Sequence, residues 1–214
     1  MKKRIGIFGG TFNPIHNGHI KMAERAKKEY KLSCVYFIPC GIPPHKSNAK
    51  TCHGMSLLPA KLRYSLIKKA IKGKKYFKVL DIEIKKKRPC YTIDTIKTIV
   101  ETHRGASLLY FLIGQDSFES LHTWNKPGEL AKLVTFLVLP RGKQNRIKEP
   151  KVKNLKWHLV HTKPVNISAR EIRKRLSKEL SVKDLVPKLI LPYLKELAWH
   201  SAFTGGRNNN TKPS

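Results

Sequence analysis

The sequence predicts an α/β protein, a mostly parallel sheet flanked by helices with a small helical part at the C-terminus. Short apolar runs of β type, such as Ile5 to Phe8, Val35 to Ile38, Leu108 to Ile113 and Thr135 to Leu139, alternate with stretches whose apolar residues recur every three or four positions. Five or six such alternations are the signature of a right-handed parallel arrangement. The first run ends in two adjacent glycines and leads directly into a helical pattern. At 214 residues with 40% hydrophobic content, the chain suits one globular domain over residues 1–200, the helical C-terminal part occupying about 167–200.

The first strand opens onto Gly9 to His19, GGTFNPIHNGH. Adjacent glycines let a ligand approach the backbone where a Cβ would block it. Pro14 and Asn17 punctuate the loop, and the stripe Ile20, Ala23, Ala26, Tyr30 marks a helix starting behind it. A helix N-terminus set over glycines is an anion site. His16 and His19, three apart around Gly18, fall near one face of that first turn, where each imidazole can donate to a phosphate oxygen. One histidine beside a glycine turn is usually structural; two at this spacing within this turn are a pattern. The stretch is neither a dinucleotide fingerprint nor a Walker loop, since G-x-G-x-x-G and G-K-S/T are both absent.

The second strand, Val35 to Ile38, closes at Pro39 and leads to the stiff loop Gly41 to Lys46, which lies where ligands gather in open α/β sheets. Residues 47–56 lack periodicity. Leu58, Leu62, Leu66, Ile67, Ala70 and Ile71 predict a helix closed near Gly73, and Phe77 to Ile84 reads as a third strand. Arg88 to Thr95, RPCYTIDT, opens the next helix, with Thr92 and Asp94 suited to its free N–H groups. After the strand Leu108 to Ile113, Gly114 and Asp116 begin a helix expected to reach Trp124; Asp116 suits either a cap or a ribose hydroxyl.

Beyond the strand Thr135 to Leu139, Gln144 to Lys153 reads as a linker or exposed loop. Lys156 to Val160 is a last strand. Ser168 with Glu171 predicts a capping box, a closing helical pair runs through Leu197, and residues 204–214 read as a disordered tail.

The formal net charge is +30, from 44 Lys and Arg against 14 Asp and Glu. That balance raises a basic nucleic-acid-binding module as an alternative from another class. The lysines are spread along the chain instead of forming one arm, which fits solvated faces, and no motif predicts specific nucleic-acid reading. Cys34, Cys40, Cys52 and Cys90 form no C-x-x-C pair, and Cys40, His45, Cys52 and His53 match no standard metal-site spacing, so no protein-held metal is expected. No apolar run approaches the ~20 residues of a membrane span, which predicts a cytoplasmic protein without membrane association.

GGTFNPIHNGH closely resembles the signature of the nucleotidylyltransferase superfamily. Together with PPHK, RPCYTIDT, GQDSFESLHTW, the Arg-Gly after Pro140 and ISAREIR, in that order from residue 4 to about 197, it resembles the bacterial nicotinate mononucleotide adenylyltransferases. The resemblance implies a Rossmann-like sheet and adenylyl transfer from ATP, with Mg2+, to nicotinate mononucleotide. It further implies catalytic roles for His16, His19 and Arg173. ATP would be bound by Gly9, Gly10, Thr11, Phe12, Gly18, Gly114, Asp116, Ile167, Ser168 and Arg173, and the mononucleotide by Lys46, Tyr91, Thr92 and Trp124. Cys90 stands in place of the family's serine, Ala169 and Arg170 in place of a serine and a threonine, and Asn13 where many relatives carry aspartate. Nicotinamide mononucleotide and phosphopantetheine adenylyltransferases are the nearest alternatives.

Overall fold

The structure is a computed structural model that describes residues 2–42, 57–86, 88–103, 107–140, 146–161 and 166–204. Six strands make one parallel sheet: β1 (Lys3–Gly10), β2 (Cys34–Pro39), β3 (Phe77–Val79), β4 (Ser107–Gly114), β5 (Thr135–Leu139) and β6 (Trp157–Leu159). Their spatial order is β3-β2-β1-β4-β5-β6. The predicted Rossmann-like arrangement is thus the one observed. The order reverses between β1 and β4, and in open parallel sheets the crevice beyond the strand ends at such a point is where ligands bind. The glycine turn closing β1 and Gly114 closing β4 both lie there.

Among the described residues, seven α-helices cover the two faces: α1 (Asn17–Glu29), α2 (Ala60–Ala70), α3 (Thr92–His103), α4 (Gln115–Glu119), α5 (Pro127–Leu133), α6 (Ala169–Leu176) and α7 (Leu191–Thr204). Strand side chains alternate between faces. Ile5, Ile7, Phe111, Ile113, Phe136 and Val138 meet α3, α4 and α5, while Phe8, Phe37, Leu112, Leu137 and Leu139 meet α1, α2, α6 and α7. The stripe Ile20, Ala23, Ala26 that predicted α1 is its buried face.

Four expectations change. The third strand ends at Val79; residues 81–84 instead turn, with Lys85 N–H donating to Asp81 O and the two side chains paired at 3.2 Å. That turn carries Glu83 inward to 8% exposure. The helix expected to reach Trp124 stops at Glu119 and is followed by a 3-10 turn, Leu121–Thr123. The stretch read as a linker or exposed loop is an irregular, mostly exposed loop over its described residues 146–153, and it is anchored and not a free linker: Ile147 and Val152 pack on the core, and Glu149 accepts from Trp157 Nε1 at 2.9 Å. The closing pair is a 3-10 turn, Lys188–Ile190, and α7.

Helix α5 had no counterpart in the periodicity, although Pro127 at its start and Glu129 in its first turn are ordinary start signals. Most of the predicted tail, 205–214, lies outside the described residues. No helix among the described residues is long and apolar enough to cross a membrane.

Candidate active site

The turn after β1 places two histidines at the start of α1, and they cap it jointly. His16 is the N-cap, with φ −145° and ψ 169°; its Nδ1 accepts from His19 N–H at 3.4 Å, while His19 Nδ1 accepts from His16 N–H at 3.3 Å. Both Nδ1 atoms therefore serve as acceptors, which puts the proton of each neutral ring on Nε2. The rings stack with centroids 3.6 Å apart, and Phe12 meets His19 edge-on at 5.0 Å. Burial pushes the His16 pKa down to about 4 from 6.5. Burial, and then the neighbouring His16, also hold His19 well below the ordinary histidine value, although part of its edge reaches solvent. At neutral pH the pair is thus two uncharged Nε2–H donors in fixed orientations.

This arrangement revises the simple picture of an anion on the N–H groups of α1. Asn17 N–H donates to Leu185 O at 2.9 Å, His19 N–H to His16 Nδ1, and Ile20 N–H to His16 O at 3.3 Å. Three N–H groups of this turn are thus taken by acceptors within the protein. The donor capacity has moved from the backbone to the imidazoles.

Positive charge comes from α6. Ser168 is its N-cap and accepts from Glu171 N–H at 3.1 Å, but only half of the expected capping box forms, because the Glu171 carboxylate pairs with Arg175 at 3.1 Å instead. Arg173, 9% exposed, donates from Nη1 to Asn13 O at 2.7 Å, which brings α6 against the histidine turn 160 residues earlier in the chain. Its Nε is buried and, among the described residues, lacks a partner. A buried donor left unsatisfied on a cation is the kind of group an anionic ligand completes.

Beside this turn lies a cleft of about 890 Å³. Gly9, Gly10 and Thr11 form one wall, Glu83 and Cys90 to Thr92 a second, and Ser117 to Lys126 a third with Trp124. Trp124 stands perpendicular to Phe111 at 6.1 Å and leaves part of its ring exposed. Its N–H is bonded to Leu121 O at 3.0 Å, so the backbone donors on this side come from α3, where Asp94 and Thr95 N–H both return to Tyr91 O. Among the described residues, the N–H groups of Thr92 and Ile93, ahead of these bonds, have no partner within the helix.

The remaining predicted residues fall as follows. Phe12 is 3% exposed with φ 46°, its ring inside the core, so only its backbone can meet a ligand. Gly114 has open space where a Cβ would stand, and Asp116 is exposed in the first turn of α4. Ile167 adjoins Ser168 and is partly exposed. Lys46, with the other PPHK residues from Pro43 onward, and the Arg141-Gly142 pair lie outside the described residues.

Among the described residues no group of three or more His, Cys, Asp or Glu could hold a metal. Asn13, 5% exposed, accepts from Leu58 N–H through its side chain at 3.1 Å, so its carboxamide oxygen is already engaged. These residues do not fit a protein-held magnesium ion. Such an ion usually keeps its waters and binds through substrate phosphates.

Two residues with clear structural roles were not singled out from the sequence. Arg63 is fully buried and donates to four backbone carbonyls, those of Leu58, Thr11, Cys40 and Gly41, at 2.7–3.1 Å. Its signal was a charged residue at i−3 and i−4 to Leu66 and Ile67 on an apolar helix face. Glu83 carried no such signal, since it alternates with Ile82 and Ile84.

A parallel sheet whose strand order reverses beside two neutral imidazole donors and a buried arginine has the form of a nucleotide-binding α/β protein. The chain belongs to the cytidylyltransferase-like family, whose model matches residues 7–175. It is 37% identical over 199 residues to a Dehalococcoides mccartyi protein named "probable nicotinate-nucleotide adenylyltransferase", covering 90% of this chain and 95% of that one. A Shouchella clausii protein of the same name is 37% identical over 194 residues, covering 91% and 95%. In fold, the chain is similar to a Plasmodium falciparum nicotinic acid mononucleotide adenylyltransferase complexed with NaAD, with a TM-score of 0.74 at 23% identity over 91% of this chain and 96% of that one.

Proposed function

We propose that the protein transfers the adenylyl group of ATP to nicotinate mononucleotide, releasing pyrophosphate and forming the deamido precursor of NAD. The observation that carries this reading is the pairing of two neutral, tautomer-fixed histidines and a buried, partly unsatisfied Arg173 with an adjoining cleft walled by an aromatic ring and a helix N-terminus. The names of relatives at 37% identity support it.

In the reaction, a phosphate oxygen of the mononucleotide attacks the α-phosphorus of ATP. A new P–O bond forms, the bond to the β-phosphate bridging oxygen breaks, and pyrophosphate leaves with the electron pair. A phosphate monoester has its second pKa near ~6, so the nucleophile is already largely ionised at neutral pH and no general base is required. What the chain supplies is alignment and charge stabilisation. His16 and His19 donate through Nε2 to phosphate oxygens, and the Arg173 guanidinium and the Ser168 end of α6 balance charge on the leaving pyrophosphate. Magnesium is expected to enter with ATP, held by its phosphates and water.

On the acceptor side, Trp124 offers a ring for the pyridine, and the N–H groups at the start of α3, beside Tyr91 and Thr92, suit its carboxylate. Asp116 and Gly114 are placed here with the adenosine ribose, Gly9 to Phe12 and Gly18 with the ATP phosphates, and Ile167 beside them.

The test is to incubate the purified protein with ATP, magnesium and nicotinate mononucleotide and to quantify both products. Equal amounts of pyrophosphate and dinucleotide are expected. A protein that forms neither, yet binds duplex DNA tightly and selectively at physiological salt, would replace this reading by the basic binding module, whose nonselective affinity should fall steeply with salt.

A further inference from the structure

The turn of residues 81–84 buries a carboxylate between two walls of the cleft. Glu83 Oε1 accepts from the Thr95 hydroxyl at 2.8 Å, while its main chain packs directly on Gly41. Thr95 is 3% exposed and sits in the first turn of α3, whereas Gly41 belongs to the loop leaving β2. One residue thus meets both segments, α3 through its side chain and the β2 loop through its main chain.

The contact is close on every side. A Cβ added to Gly41 would lie 2.3 Å from Glu83 O, the same carbonyl that faces Cys90 Sγ at 3.8 Å. Ile42 bridges to Pro89 just beyond. On the other side of Gly41, its carbonyl accepts from Arg63 Nη2 at 3.1 Å, and Arg63 Nη1 reaches Thr11 O at 2.7 Å. Hydrogen bonds therefore join the turn after β1 to Gly41 through Arg63, and Glu83 to Thr95, and the two sets meet where Gly41 packs on the Glu83 main chain. Burial raises the Glu83 pKa, and Thr95, Lys86, Arg63 and Gly41 oppose that rise.

An apolar side chain could fill the volume between α3 and the β2 loop, but it could not accept from the Thr95 hydroxyl. The loss would fall on the position of the α3 N-terminus, whose Thr92 lines the cleft.

We propose that Glu83 is a positioning residue for the acceptor mononucleotide, fixing the start of α3 against the β2 loop through Thr95 and Gly41. This rests on the reading that the cleft takes nicotinate mononucleotide. Glu83 acts on KM for the mononucleotide and on discrimination against its nicotinamide analogue, and it does not act on ATP binding.

The test compares wild type, Glu83→Gln, Thr95→Val, the double variant and Thr95→Ser, measuring KM for each substrate, kcat and Tm. Glutamine has one side-chain acceptor where the carboxylate has two, and valine removes the hydroxyl at nearly constant shape. Each single variant is expected to raise the mononucleotide KM about tenfold, the size of one lost hydrogen bond, with the ATP KM within about twofold. The double variant should be no worse than the worse single, since both remove the same link. Thr95→Ser should restore the KM. Equal increases in both KM values, or a lowered Tm with neither KM changed, would overturn the proposal and leave Glu83 structural. A wild type inactive with nicotinate mononucleotide would overturn the functional reading and this inference with it.

Discussion

At the scale of single residues, His16 and His19 divide their ring nitrogens between folding and ligand. Each Nδ1 caps the helix, and each Nε2–H is the donor that the proposed function assigns to a phosphate. Removing one preorganised donor typically costs ~10²- to 10³-fold in rate. His19→Ala should lower kcat by roughly that factor, with a smaller effect on ATP binding; near-normal kcat in steady-state assays would make the imidazole structural. His16 also has a folded-state pKa, about 4, below its ordinary 6.5. The unfolded chain therefore takes up the proton first, so this contribution to stability is complete above pH 6.5 and is lost as pH falls toward 4. Between pH 6.5 and 4.5 the loss is about 2 kcal/mol. His16→Asn keeps an N-cap acceptor without a titrating ring. Denaturant titrations should show a shallower pH dependence than wild type over that range, and identical slopes would contradict the assignment.

At the scale of elements, the loop leaving β2 and the turn of residues 81–84 fit only because position 41 lacks a side chain. The nearest atom to an added Cβ would be backbone, which cannot rotate away. Gly41→Ala should destabilise the protein by about 1–3 kcal/mol, the usual cost of overpacking, and should raise the mononucleotide KM. Unchanged unfolding midpoints would show that the loop yields.

The same region marks where the sequence stopped being legible. β1, α1, β4 and β5 were readable because their periodicity records burial directly. The turn at 81–84 looked like a strand because Ile82 and Ile84 alternate, and only the distant partners Gly41 and Thr95 draw Glu83 inward. The Ser168 cap was readable, whereas the choice of Glu171 for Arg175 over the capping box depends on side-chain competition that spacing does not encode.

At the scale of the molecule, the reversed strand order gathers the ends of β1 and β4 while Arg173 carries α6 onto the first turn. The constellation of motifs foretold this assembly, but the reciprocal histidine cap and the unsatisfied Arg173 Nε are properties of the folded chain alone. Under the proposed function, the positive charge, spread from end to end of the chain, would speed association with phosphorylated substrates.

The central claim is that one cleft of this molecule is built for an acceptor bearing both a phosphate and a ring carboxylate. A site built to hydrogen-bond a substrate group can reject an analogue lacking it by ~10⁴. The most direct measurement is kcat/KM from pyrophosphate release with ATP and, in turn, nicotinate mononucleotide, nicotinamide mononucleotide and phosphopantetheine. Preference for nicotinate over nicotinamide mononucleotide approaching that factor, and no release with phosphopantetheine, are expected. Equal values for the two mononucleotides, or release with phosphopantetheine alone, would contradict the claim.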